Sequence, residues 1–337
     1  MTFYTSIFKS TKSPKKWIFL VLLSSFTISL FFISFNYIID PYTITKYNIL
    51  NIKYKFARDD RTEKVSYFKN LDTFDTVMIG SSRVYSINPE TVSDILGGTT
   101  YNFGVGTATV EDLLGVIKFL KKENKLPKNI LMGVDFYTFN SDIPPNKYFL
   151  KNRELNFLTY TNYDEDNLAK LFSIDAFRAS LKTLDYHLFN KDKRSRFDSS
   201  GWAGAYEDYT LRHNEKDLLK AKQEADSEID KIFSSYNYSK LDSLRIKYFE
   251  EIRELCHNNN ITLYLFTTPI HPILLEKLSL NKNTNKALHE FISFLQSFEN
   301  FHNLYHDKRI YKELRNFHGA THTSSNCGDT IVKIVLE

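Results

Sequence analysis

The sequence predicts an α/β fold: a mainly parallel sheet wrapped on both faces by helices, a three-layer sandwich, preceded by one N-terminal transmembrane helix. Three observations carry that expectation. From residue 74 onward, short apolar runs alternate with helix-like stretches, the pattern of βαβ units. The run Asn129–Val134 is nearly all apolar, as a strand buried on both faces must be. Trp17–Ile39 holds no charged residue over about 23 positions, enough to cross a hydrocarbon layer of roughly 30 Å.

The 337 residues leave room for one large α/β domain and further segments. Hydrophobic residues at 42% and charged residues at 25% give a globular rather than a disordered balance. A net charge of +4 is small for this length. It gives no reason to expect nucleic acid, which needs cations gathered on one face.

Lys9, Lys12, Lys15 and Lys16 precede the apolar run, and Asp40 follows it. The positive-inside rule then makes 1–16 a cytoplasmic tail, 17–39 the anchor, and everything later outward-facing. A cleaved signal peptide is the competing reading. The run is longer than a signal core, and Phe35-Asn36-Tyr37 offers no small-residue cleavage site, so an uncleaved single-pass anchor is expected. Residues 40–70, polar and aromatic without a clear period, read as a connector to an α/β domain over 71–337. Two cysteines, Cys256 and Cys327, are too few for a disulfide framework. A single bridge and two buried free thiols both stay open.

Taken in order, Phe74–Ile79 is a first strand and Pro89–Leu96 a helix stopped by Gly97-Gly98. Thr100–Phe103 is a second strand running into Gly104-Val105-Gly106, and Val110–Asn124 an amphipathic helix. Asn129–Val134 is the third strand. Ser239–Asn258 reads as helix, Ile261–Thr267 as strand, Thr284–Phe298 as helix and Thr323–Leu336 as a closing helix. Between about 141 and 238 the alternation lapses, over a stretch too long for a plain loop. It reads as an insertion, helical over Asn167–Leu188 and Lys216–Phe233, placed above the carboxyl edge of the sheet as a lid or substrate-binding element.

Chemistry is expected at Gly80-Ser81-Ser82, where the first strand ends in a sharp turn and a helix-like stretch begins. A serine there faces the crevice at the carboxyl edge, beside backbone N–H groups of a helix N-terminus. A hydroxyl is a poor nucleophile at neutral pH and needs an imidazole within hydrogen-bond reach. His322, in Phe317-His318-Gly319-Ala320-Thr321-His322 ahead of the last helix, is the candidate.

This turn, with Arg83 and Ile87-Asn88-Pro89 after it and His322 far along the chain, resembles the SGNH (GDSL-type) hydrolase superfamily, in particular its membrane-anchored branch of cell-envelope proteins. The resemblance spans most of 74–140 and 239–337. It implies a flavodoxin-like sheet, with Ser82 as nucleophile and His322 as base. It also implies a backbone donor to the oxyanion at Gly106, or Gly104 as fallback, and an Asn donor where this chain has Asp135. An ionised Asp only accepts hydrogen bonds and would repel an oxyanion, so Asp135 must be protonated or serve elsewhere, holding Arg83 or the His322 imidazole. The family's Asp before the histidine is Gly319 here. The imidazole is then oriented by a backbone carbonyl or another carboxylate, Asp307 first and Asp329 second.

Simpler roles compete. Ser82 suits a helix cap, and Arg83 a salt bridge at the sheet edge or a contact to anionic substrate. His271, between Pro269 and Pro272, is a pocket residue or a turn residue. Trp202 and the tyrosines of the insertion suit sugar stacking or the core. Gly104-x-Gly106-x-x-Thr109 lacks the third glycine of a dinucleotide fingerprint, and the nine histidines show no metal-ligand spacing, so no cofactor is expected. The resemblance implies a serine esterase or O-acyltransferase, acetyl by preference, acting on an envelope or exported polysaccharide. It would sit in a bacterial inner membrane, its domain periplasmic or extracellular, beside envelope-assembly proteins. The alternative is a non-catalytic relative that binds glycan or scaffolds such an assembly.

Overall fold

The computed structural model describes residues 14–42, 49–50, 52, 59–158, 171–189, 197–203, 223, 226–227, 230, 240–313, 316–318 and 320–337. The chain divides into two compact units, one of 1–58 with 160–191 and one of 59–159 with 192–337.

The first unit holds α1, Pro14–Ile39, a helix long and apolar enough to cross a membrane, with a mean hydropathy of 2.4 over its best window. Later in sequence it holds a second helix, Ile174–Leu188, which pairs with α1 (Phe32 and Phe35 against Phe177).

The second unit is built on a parallel sheet. Its strands are β1 (Thr76–Ile79), β2 (Thr100–Asn102), β3 (Asn129–Val134), β4 (Thr262–Thr267) and β5 (Asn300–His302), in the order β2-β1-β3-β4-β5. That is the order of doubly wound sheets whose switch point lies between the first and third strands. Register is continuous, Thr76 facing both Thr100 and Asn129, and Val134 facing Thr267. The central strands are buried, as their unbroken apolar runs require.

Helix α2, Asp60–Lys69, lies inside the segment read as a connector. Its Phe68 packs on Tyr101, Phe103 and Phe119, and its Arg61 and Lys64 are almost wholly buried. Arg61 pairs with Asp112, and Lys64 donates to the carbonyls of Asn102 and Gly201 and lies 4.0 Å from the Phe197 ring centre. A helix with two cations among its six buried residues leaves no apolar period to read.

The connections follow as α3 (Pro89–Leu96), α4 (Val110–Lys122), α5 (Lys147–Lys151), α6 (the Ile174–Leu188 helix of the first unit), α7 (Ser243–Asn258), α8 (Pro272–Leu280), α9 (Lys282–Leu295), α10 (Lys308–Tyr311) and α11 (Ser325–Leu336). Asn88 caps α3 with Pro89 in its first turn, and Asp242 caps α7, so α7 starts later than its sequence period suggested. Met78, Leu131 and Phe266 of the sheet share one core with Val92 of α3 and Ile331 and Val332 of α11. A short antiparallel ribbon, β6 (Phe317–His318) with β7 (His322–Thr323), precedes α11. Both cysteines are buried free thiols, pushed up to about 12 by burial.

Within the region read as an insertion, 160–191 groups with α1 rather than with the sheet. The helix expected over Lys216–Phe233 falls largely outside the described residues.

Candidate active site

The carboxyl ends of β1, β2, β3 and β4 bring Ser82, Gly104, Asp135 and Thr268 to one edge of the sheet, where open α/β sheets hold their ligands. The turn after β1 is set by crowding. A Cβ on Gly80 would lie 2.6 Å from Val84 Cγ1, one on Gly104 2.4 Å from Val84 Cγ2, and one on Gly133 2.6 Å from Val84 Cγ1. Three glycines at three strand ends thus form a socket for Val84. The chain enters it through a 3-10 turn, Ser82–Val84.

Ser81 caps that turn, its hydroxyl accepting from the Arg83 amide at 3.2 Å. The capping role open to Ser82 is therefore filled by its neighbour. The Ser82 hydroxyl instead lies 2.9 Å from His322 Nε2, across 240 residues of chain. The ribbon that carries the imidazole is tied down by a buried contact, Thr323 Oγ1 to Ser86 Oγ at 3.0 Å. Asn102, fully buried at the end of β2, donates to the carbonyls of Val84 and Ile87 and fixes the turn from below.

On the far side of the ring, His322 Nδ1 lies 3.1 Å from the Thr321 hydroxyl. If Nδ1 carries the proton, Nε2 is left as acceptor for Ser82, the tautomer that a base requires. The carboxylates expected there are engaged elsewhere. Asp307 caps α10 and holds Arg309 at 2.7 Å, which keeps its carboxyl below the usual range; Asp329 accepts from Thr91 at 2.7 Å. Gly319 lies outside the described residues.

The expected oxyanion donors are also engaged. The Gly106 N–H donates to Asp60 Oδ2 at 2.9 Å, and that oxygen also accepts from the Tyr85 hydroxyl. The Gly104 N–H donates to Asn102 Oδ1 at 3.0 Å. A donor already committed to a side-chain oxygen is not poised for an oxyanion, so these two expectations do not fit this conformation. Asp60 and Asn102 are the residues sequence reasoning passed over. Asn102 closing a strand before a Gly-rich turn was the one available signal.

Asp135 is fully buried and serves elsewhere, holding Arg83. Its Oδ1 accepts from Arg83 at 2.9 Å and from the Thr268 hydroxyl, while its Oδ2 has no hydrogen-bond partner among the described residues. The Arg83 guanidinium also lies 5.1 Å from the ring centre of Tyr137, whose phenol is pushed up chiefly by burial, with the Asp135 charge adding to it. Arg83 is thus held at the site's edge by a salt bridge and an aromatic face. His271 caps α8, its Nδ1 accepting from the Ile273 amide at 3.3 Å, and its ring packs edge-on to Phe317. Its backbone N–H donates to Ala320, so it supports the His322 ribbon. Trp202 is half-buried, with its indole nitrogen enclosed.

Ser82 with His322 makes a hydroxyl–imidazole dyad able to pass a proton from Oγ to Nε2. No protein-family model matches this chain, and no curated protein matches it either.

Proposed function

We propose that the chain is a membrane-anchored serine esterase or O-acyltransferase of the SGNH type, acting on acetyl esters of an envelope or exported polysaccharide. The observation that carries this reading is the Ser82 hydroxyl 2.9 Å from His322 Nε2 at the carboxyl edge of the sheet. Ser82 Oγ attacks the ester carbonyl while His322 Nε2 takes its proton. The tetrahedral intermediate collapses as His322 returns that proton to the departing sugar oxygen, leaving Ser82 acylated. Water or a second sugar hydroxyl, deprotonated by the same nitrogen, then takes the acyl group.

In this reading the sheet is the middle layer of a three-layer sandwich. The core shared by α3, α11 and the sheet supports helices on one face. The crossovers β1 to β2 and β2 to β3 run in opposite directions across the sheet, so right-handed connections put α4 on the other. Helix α1 spans the bacterial inner membrane once, with the lysine-rich tail in the cytoplasm.

One observation favours a second reading. With the Gly106 and Gly104 amides both occupied and Asp135 in place of an Asn donor, a glycan-binding or scaffolding relative without turnover would carry the same fold.

The test is a fluorophosphonate probe on the full chain in detergent, together with aryl-acetate hydrolysis. Wild type is expected to label and turn over, and Ser82→Ala to do neither while keeping its melting temperature. His322→Ala is expected to slow labelling by about 10²-fold or more. A folded wild type that never labels would move the assignment to the glycan-binding reading.

A further inference from the structure

Helix α6, Ile174–Leu188, is packed the wrong way round for a helix in water. Its buried residues are small or hydroxylated: Ala176, Ala179, Ser180 and Thr183. Three of its large apolar side chains point outward, Ile174 at 72%, Leu181 at 46% and Leu188 at 61% exposure. These three stand seven residues apart, so they run down one side of the helix with a drift of only about 20° per heptad. Phe172 and Phe189, also exposed, flank the two ends. The charged Asp175, Arg178 and Lys182 are exposed too, with Asp175 and Arg178 paired at 3.7 Å.

Water-soluble helices bury the large apolar face. Helices in lipid do the reverse, joining through small residues and hydrogen bonds because acyl chains solvate leucine as well as a neighbouring helix does. The partner of the small face fits the second case. It is α1, which supplies Asn36, almost fully buried. The Asn36 side chain accepts from Ser180 Oγ at 3.0 Å and donates to the Leu171 carbonyl at 2.7 Å. Phe177 closes the contact against Phe32 at 4.4 Å and Phe35 at 5.4 Å. Phe32 and Phe35 lie about 6–11 Å below the end of α1 at 1.5 Å per residue. That is the outer part of a roughly 30 Å hydrocarbon layer.

We infer that α6 is a second membrane contact, an amphipathic helix seated in the bilayer leaflet at the carboxyl end of α1, with the Ile174, Leu181 and Leu188 stripe in the acyl chains. The inference rests on α1 spanning the bilayer and is independent of any chemistry at Ser82. Lipid is the occupant because the stripe continues the exposed apolar surface of α1, and because the helix presents its charges on an adjoining side, as interfacial helices do at a depth of about 5–10 Å.

The experiment places one environment-sensitive fluorophore at a time on the full chain in phosphatidylcholine–phosphatidylglycerol vesicles. Reporters go on Leu181→Cys and Ile174→Cys in α6, Ser25→Cys in α1, and Lys121→Cys on the exposed side of α4. The native thiols are buried and do not compete. Doxyl-labelled lipid is expected to quench both α6 reporters to within about twofold of Ser25→Cys, while iodide quenches only Lys121→Cys. Quenching of Ser25→Cys by lipid, with the α6 reporters open to iodide, would overturn the inference and leave the anchor standing. α6 reporters shielded from both quenchers would overturn it in favour of a second copy covering the stripe. Iodide access at Ser25→Cys would overturn the anchor and the inference together.

Discussion

Thr321 occupies the place where a carboxylate would ordinarily hold the imidazole. A hydroxyl can accept from Nδ1–H or donate to Nδ1, so it biases the tautomer less firmly than a carboxylate, which only accepts. A neutral hydrogen bond of this kind is worth about 1 kcal/mol, a few-fold to tenfold in rate. Thr321→Val should therefore slow fluorophosphonate labelling by about fivefold, and Thr321→Ser should restore it. Equal rates for Thr321→Val and wild type would mean that another group orients the ring. Asp135 makes the complementary case, a charge kept for structure. Its partner Arg83 is 12% exposed, so Asp135→Ala should cost about 3 kcal/mol in denaturant unfolding, the low end for a broken buried pair. Adding Arg83→Met should recover part of that loss, and a double variant no better than the single one would count against the pair. In the sequence His322 was visible as a match to a pattern and Asp135 as a departure from it. Their partners, Thr321 and Thr268, were not, because an unremarkable threonine carries no signal until the fold brings it to a charge.

Three strand entrances meet at the opposite edge of the sheet. Asp75, just before β1, accepts from Lys128 ahead of β3 at 2.8 Å and from the Thr99 amide ahead of β2 at 3.0 Å, while its own carbonyl receives the Lys128 and Asn129 amides. The Lys128 hydrogen bond first, then the Thr99 amide, hold its carboxyl down at about 2. A depressed carboxyl contributes stability that is complete above its unfolded value near 3.8 and is lost as pH falls toward 2. Asp75→Asn should therefore flatten the loss of stability between those two pH values, more visibly at low salt than at high. An unchanged acid limb would remove this clamp from the account. Elements of this kind were the legible part of the fold. Asn129–Val134 and Pro89–Leu96 stand where their periods put them, because unbroken apolar runs and an Asn-Pro cap act locally. Strand β5 has three half-buried residues, and α2 buries an arginine and a lysine. Neither offers a hydrophobic period, so only the neighbours that pair with them define them.

At the scale of the whole chain, the lapse in alternation after residue 141 was legible, but its meaning was not. A long insertion above the carboxyl edge of a sheet reads as a lid, yet 160–191 joins the N-terminal unit. What ties it there is a face of small residues and one asparagine side chain, none of which marks a helix pair in a sequence. The consequence is practical. A chain begun at residue 45, just past the anchor helix, keeps α6 and discards its partner. Ala176, Ala179, Ser180 and Thr183 would then be uncovered beside an already exposed apolar stripe, and surfaces of that kind associate. Residues 59–337 with 160–191 replaced by a Gly/Ser linker of about 20 residues remove both halves of the pair and keep every residue of the Ser82–His322 site. Size-exclusion chromatography with light scattering should find the first chain aggregated or micelle-bound and the second monodisperse without detergent. If the chain begun at residue 45 is equally monodisperse, α6 has no need of α1. If the linker chain is monodisperse and labels at the wild-type rate, the sheet unit carries the labelling reaction alone and needs neither α1 nor α6 for it.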